Sequence, residues 1–287
     1  PGVVDKMALL AGNDVLLYSE DVRKAIQEIH FAVENCEITQ DEIDARVKKV
    51  LMVKYWCGLN KPQFIDTTNI YSDLNNPSSR LLQRKMFEKS MTLLTNKDSL
   101  LPFRSKESLR IASVVIGDKL NNTFQQQLKM YGNFDVFSED KDASVSVFEA
   151  LFNFLSNYDY VIISLHSTTM KAQTGFGISE AAGRFIDSVL ITYKTVFADF
   201  GNAYTLSQFK HLKSAKAIVL GYEDFPVTHS IVAQIIMGGI SSSGKIPVSS
   251  SFDYPRSSGV KTARPIRLQY TIPEAAGMSS SILNKIG

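Results

Sequence analysis

The chain has 287 residues, which at about 150 residues per domain allows roughly two domains. Hydrophobic residues make up 44% and charged residues 21%, a globular balance that excludes a disordered or low-complexity chain. Lys and Arg number 31 against 29 Asp and Glu, so the formal net charge is +2, without the basic excess that drives binding to a phosphate backbone, and nucleic acid is not expected as a partner.

No apolar stretch approaches the roughly 18 residues that span a bilayer, and the start, at Pro1, has neither a charged nor an apolar leader segment. The chain therefore reads as a piece or processed product of a longer protein. The two cysteines, Cys36 and Cys57, imply no disulfide framework and read as buried thiols on helices.

Residues 8–17 predict a helical end, a Gly12-Asn13 turn and a brief strand over Val15–Leu17. A helix follows, with Ser19 as its cap and Val22, Ile26, Ile29 and Val33 at helical spacing. Thr39 and Glu42 form a capping box, Ile38 and Ile43 a hydrophobic staple, so a second helix begins near residue 40 and ends at Gly58. Its stripe of Ile43, Val47, Val50 and Leu51 needs a surface to cover, and one short strand cannot supply it. Strand, helix, helix in this order reads as the last unit of a larger barrel or sheet.

Residues 59–77 lack periodicity and read as a connection. After it come a helix over 79–89, a strand over 91–95 and a turn at Leu100-Leu101-Pro102. Continuous apolar runs at 111–116, 160–165, 195–200 and 217–220, with a weaker one at 134–137, predict strands covered on both faces. Helical patterns at 123–131, 145–155, 179–193 and 228–237 alternate with them, which specifies a mainly parallel sheet with helices on both sides. The predicted fold class is thus an α/β sandwich preceded by barrel-like remnants. Its divisions are 1–60, a linker over 61–76, the sandwich over 77–252, and an extended tail over 253–287 with a helix starting at Ser279.

Short motifs give little chemistry. Gly239-x-x-x-x-Gly244-Lys245 approaches a phosphate loop, but Ile246 replaces the Ser or Thr that would hold magnesium, and Pro247 blocks a following helix. It reads as a loop leading into a strand over 246–248. Gly175-x-Gly177 with Gly183 misses the dinucleotide spacing. Ser242-x-x-Lys245 and Ser207-x-x-Lys210 match the short pattern of serine acylating enzymes without its partner motifs and read as solvated turns. His30, His166, His211 and His229 are far apart with no i, i+4 pair, so neither a metal site nor a cofactor is expected. His166 stands out because it ends a buried strand, where ligands bind in open parallel sheets. Asp199, inside an apolar run, must be paired, hydrogen-bonded or protonated. Glu180 and Glu223 are further acids near strand ends.

Several blocks together resemble the family 3 glycoside hydrolases, in particular the β-N-acetylhexosaminidase branch. They are Ala11-Gly12-Asn13-Asp14-Val15-Leu16-Leu17; Ile43-Asp44-x-Arg46-Val47-x-x-Val50-Leu51 with Lys54-Tyr55-x-x-Gly58-Leu59; Ser90 to Asn96 with Leu100-Leu101-Pro102; Phe200-Gly201-Asn202-Ala203-Tyr204; and Gly238-Gly239 with Ser243 to Val248. The resemblance implies a C-terminal region whose parent performs retaining hydrolysis of an O-glycosidic bond. It places the nucleophile and acid/base upstream of Pro1, so this chain is expected to be inactive and to support the barrel. Carbohydrate is then the partner through the parent enzyme, with His166 and Thr168 as candidate substrate-facing residues and the uncovered helices of residues 20–57 available for self-association. In the glucosidase branch the acid/base Glu comes from the second domain, leaving Glu180 and Glu223 as the positions to consider. A bacterial periplasmic or secreted location follows if the parent carries a signal peptide, a cytoplasmic one otherwise. Ile272-Pro273-Glu274-Ala275-Ala276-Gly277-Met278-Ser279 with Ile282-Leu283 resembles the opening of a serine β-lactamase-like domain, as in some family 3 fusions. The readings set beside this one are a flavodoxin-like binding module and an interaction domain within a fusion protein.

Overall fold

The computed structural model describes residues 1–62, 64–103, 109–263, 265, 268–283 and 285–286. Five of the tail's residues, 264, 266, 267, 284 and 287, lie outside the described set. The chain divides into two compact units, Pro1–Asp73 and Leu74–Gly287. No helix among the described residues is long and apolar enough to cross a membrane.

The first unit is helical, with α1 (Val3–Leu10), α2 (Val22–Glu34) and α3 (Gln40–Trp56) followed by the short α4 (Ile70–Leu74), which ends at the boundary. The start of α3 follows from its sequence: Thr39 Oγ1 accepts from Glu42 N, and the Glu42 carboxylate accepts from Thr39 N at 3.0 Å. Ile38 and Ile43 join Leu9, Ile29, Ala32 and Val33 in one small cluster, the core of this unit. Gly58, at φ 79°, stands just past the helix end.

Three expectations need correction here. Val15–Leu17 forms no strand, and both Val15 and Leu17 are exposed, because no partner strand offers a ladder to this segment among the described residues. The cap of α2 is Asp21, which accepts from Lys24 N at 3.1 Å, and the Ser19 hydroxyl makes no such bond. Cys36 and Cys57 are exposed at helix C-termini, where the apolar stripe has already ended.

The second unit begins with α5 (Pro77–Ser90), capped by Asn76 and with Pro77 where a missing N–H costs nothing. Six strands follow, β1 (Thr92–Asn96), β2 (Ile111–Ile116), β3 (Asp135–Glu139), β4 (Tyr160–Leu165), β5 (Thr195–Asp199) and β6 (Ala217–Leu220). They form one sheet in the order β1-β6-β5-β4-β2-β3, parallel except for β1, which runs antiparallel to β6. Helices α6 (Thr123–Lys129), α7 (Val145–Phe154), α8 (Glu180–Thr192) and α9 (Pro226–Met237) cover it.

Alternation along the strands sorts two cores. Val161, Ile163, Leu165, Phe197, Ile218 and Leu220 face Phe148 and Leu151 of α7 and Ile186 and Val189 of α8. Ile162, Val196, Ala198 and Val219 face Phe124 and Leu128 of α6 and Ile231, Val232 and Ile235 of α9. Unbroken apolar runs are therefore what the central strands require. The edge strand β3 is only half-buried, which explains its weaker run.

Residues 246–248 do not form the expected strand. Ile246 is buried and bonds to residues 257 and 258 through its N–H and C=O, which anchors a coil without building a ladder. Gly244 lies against the carbonyls of Ser90 and Met91 so closely that a Cβ would collide with both, so this glycine serves a backbone crossing. Past the sandwich, a turn over Pro273–Ala276 precedes α10 (Ser280–Leu283).

Candidate functional site at the carboxyl edge of the sheet

The chain runs from β2 outward to β3 and then returns past β2 to β4, so the loops leaving β2 and β4 diverge. Such a switch point opens a crevice beyond the strand ends, where ligands of open α/β sheets bind. His166 follows β4 directly. Asp118 stands two residues beyond β2, and Asp224 and His229 follow β6.

Backbone contacts fix these positions. His166 N donates to Ile116 O at 2.9 Å and Gly117 N donates to Glu139 O at 2.9 Å. Gly117 has φ 86°, and a Cβ there would stand 2.7 Å from His166 O, so only glycine lets the two loops approach this closely.

His166 is fully buried, stacked on Phe200 with ring centroids 4.6 Å apart and edge-on to His229 at 4.8 Å. Its Nδ1 lies 2.9 Å from Asp224 Oδ1, and its Nε2 lies 3.0 Å from Ser164 Oγ and 3.4 Å from Asn122 Nδ2. His229 Nε2 lies 2.5 Å from the same Asp224 Oδ1, while Asp224 Oδ2 accepts from Ser167 N at 2.7 Å. Burial opposes the Asp224 charge, but bonds from both imidazoles and a backbone N–H outweigh it and hold this carboxyl well below the usual range. Burial pushes His166 toward its neutral form against the pull of Asp224. An ionised Asp224 accepts only, so His166 carries its proton on Nδ1 and His229 on Nε2.

Asp118 accepts from Asn122 Nδ2 at 2.8 Å and from Lys119 N. One ring nitrogen each of His166 and His229 and a carboxylate oxygen of Asp118 lie within 4.8 Å of one another. The sheet thus gathers two of the four histidines whose sequence separation gave no metal signal. Sequence reasoning passed over Asp118 and Asp224, although both stand beyond strand ends, the same criterion that singled out His166.

Ser164, His166 and Asp224 have the order of contacts of an acylating triad. Ser164 is fully buried within the sheet, however, so no substrate carbonyl can reach its hydroxyl, and the arrangement cannot transfer an acyl group.

The other expected residues lie apart. His166 presents no ring surface to solvent, and Thr168 is half-buried against Gly201. Asp199 is fully buried on the opposite face of the sheet from His166; burial pushes its carboxyl up to about 7, against bonds from Thr205 and from Gly201 N at 2.8 Å. Glu180 is exposed on α8 and pairs with Arg184, and Glu223 is exposed. Of the serine-lysine patterns, Ser242 is buried and accepts from Leu93 N at 3.1 Å, and Ser207 caps a local turn through Tyr204 O.

No protein-family model matches the chain. It is similar to a putative beta-xylosidase of Formosa agariphila, at 24% identity over 284 residues covering 90% of this chain and 37% of that protein. Among solved structures it is similar to a glycoside hydrolase family 3 beta-N-acetylglucosaminidase from Paenibacillus (TM-score 0.63, 16% identity, 85% of this chain and 47% of that one). It is also similar to a beta-glucoside phosphorylase (TM-score 0.62, 18% identity, 87% and 46%). The chain spans less than half the length of each of these proteins. Its α/β sandwich is accordingly the fold of the C-terminal part of family 3 glycoside hydrolases.

Proposed function

We propose that the chain is a non-catalytic C-terminal region of a retaining family 3 glycoside hydrolase, whose role is to support that enzyme's catalytic barrel. The observation that carries this reading is how the acids are used. Asp224 is committed to two imidazoles and a backbone N–H, Asp199 is sealed in the core, and Glu180 is paired on an outer helix. Retaining hydrolysis needs two carboxyl groups about 5–5.5 Å apart flanking an accessible bond, and these three acids offer no such pair.

The parent is read as a β-N-acetylglucosaminidase, because neither Glu180 nor Glu223 stands in a site that would make it the acid/base of a glucosidase. Under this reading the sugar meets the exposed stretch of the loop at 169–174 rather than the buried His166 ring, and Val22, Ile26, Val47 and Leu51, exposed on α2 and α3, face the rest of the parent or a second copy.

The test is an assay of this chain and of a longer form with aryl β-N-acetylglucosaminide, β-glucoside and β-xyloside. The chain alone should release no aglycone, and the longer form should prefer the N-acetylglucosaminide. Turnover by the chain alone overturns the non-catalytic role. Preference of the longer form for either other sugar overturns the branch.

A further inference from the structure

The crevice between β2 and β4 holds an unsatisfied group. With Nε2–H of His229 donated to Asp224, the remaining nitrogen, Nδ1, is a bare lone pair; the ring is buried at 5% exposure, and Nδ1 has no hydrogen-bond partner among the described residues. A buried imidazole acceptor left unmatched in a polar setting calls for something to fill it. His166 is arranged alike: its Nδ1–H is spent on Asp224, which leaves Nε2 as the lone pair. Its present partners are the Ser164 hydroxyl, which has Val114 O at 3.5 Å as an alternative acceptor, and Asn122 Nδ2, which also donates to Asp118 at 2.8 Å, so each keeps a second partner when Nε2 is released. Asp118 adds a half-buried carboxylate, and no Lys or Arg forms an ion pair with Asp118 or Asp224 among the described residues.

Two imidazoles whose second nitrogens are tied to one carboxylate, beside another carboxylate with no Lys or Arg ion pair among the described residues, form the ligand set of a divalent transition metal. The tie to Asp224 is the outer-shell bond that orients metal-ligating histidines and raises their basicity. We propose that Asp118, His166 Nε2 and His229 Nδ1 bind a zinc-type divalent cation, with Asp224 positioning both rings. One ring nitrogen of each histidine and a carboxylate oxygen of Asp118 lie within 4.8 Å of one another, and around zinc the ligand atoms would close to about 3.4 Å, the separation of tetrahedral donors at 2.0–2.1 Å. Three protein ligands leave a fourth position for water. The ion would tie the end of β2 to the end of β4 and to α9, across the switch point.

The experiment uses the full chain with Cys36→Ser and Cys57→Ser, so that the exposed thiols take no metal. Zinc is titrated in competition with a chromophoric indicator, cobalt(II) is followed by visible absorption, and thermal unfolding is recorded with and without zinc. One equivalent of zinc should bind, cobalt should give the strong visible bands of a low-symmetry site, and zinc should raise the unfolding temperature. Asp118→Asn keeps the shape of a half-exposed side chain and should weaken zinc by about tenfold or more, and His229→Gln should abolish it. Far-UV circular dichroism of both variants establishes that they fold. If the parent chain binds no zinc, an internal water satisfies His229 and the proposal is overturned. Equal zinc affinity in the parent and the folded Asp118→Asn chain overturns it as well.

Discussion

The two units solve the burial problem to different degrees. In the sandwich, the central strands have both faces covered, and Val114, Ile163 and Phe197 are wholly excluded from solvent. In the helical unit the core amounts to Leu9, Ala32 and Ile38 with a few half-buried neighbours, while Leu51, Met52, Tyr55 and Trp56 of α3 remain exposed. Helix α3 has no buried residue, yet it has the better-specified N-terminus of that unit's two longest helices. Local hydrogen bonding is enough to start a helix, whereas stability in water comes from tertiary covering of its apolar side.

The sharpest test of that contrast is Phe197→Ala, which empties the space between β5 and Phe209 and should destabilise the sandwich by about 3–5 kcal/mol in denaturant unfolding followed by circular dichroism. A loss near zero would mean that the sandwich is loosely packed and the contrast false.

The second test concerns Asp199. Its carboxyl has an ordinary value of 3.8 when unfolded and about 7 when folded, so the native state holds the proton more tightly. The contribution of Asp199 to stability is then greatest below about pH 4, falls as the pH rises through about 7, and levels off above it, over a total of about 4 kcal/mol. Asp199→Asn should remove that contribution, seen as the difference between the two chains' unfolding free energies measured between pH 4 and 8. The helical unit, whose acids are exposed or paired at the surface, should lack this dependence.

A smaller effect is expected in the helical unit. Thr39→Ala removes the side-chain half of the α3 capping box and should cost about 1 kcal/mol, read as lost helicity and earlier hydrogen exchange over residues 40–44. If α3 frays no more than before, packing rather than capping holds it.

The smallest effect belongs to the exposed stripe. Leu51→Ser should change stability by less than about 0.5 kcal/mol and reduce any concentration-dependent association seen by light scattering. Trp56 is the only tryptophan and is exposed, so its emission should be that of solvated indole and should be quenched freely by iodide. A shielded, blue-shifted Trp56 in the isolated chain would show that a second copy covers this surface.

Much of the sandwich was legible because its strands announce themselves. Runs such as Ile111–Ile116 and Tyr160–Leu165 are apolar on both parities, and only two-sided cover makes that pattern stable, so their bounds agree with the sequence reading. Caps were equally legible where the bonding is local, as at Thr39. Val15–Leu17 and Ile246–Val248 were misread because a short apolar run becomes a strand only if a neighbour offers its N–H and C=O groups at the right spacing, and that neighbour is distant in sequence.

The candidate site divides along the same line. The sequence by itself determined that His166 ends a buried strand and that Asp199 sits where a carboxylate is costly, since both follow from nearest neighbours. Only the tertiary structure decided that Asp118, Asp224 and His229 meet at His166, because strand order, not sequence distance, sets which loops leave the sheet together. With β4 returning beside β2 rather than beyond β3, Asp118, Asp224 and His229, which stand 48, 58 and 63 residues from His166, gather around one imidazole.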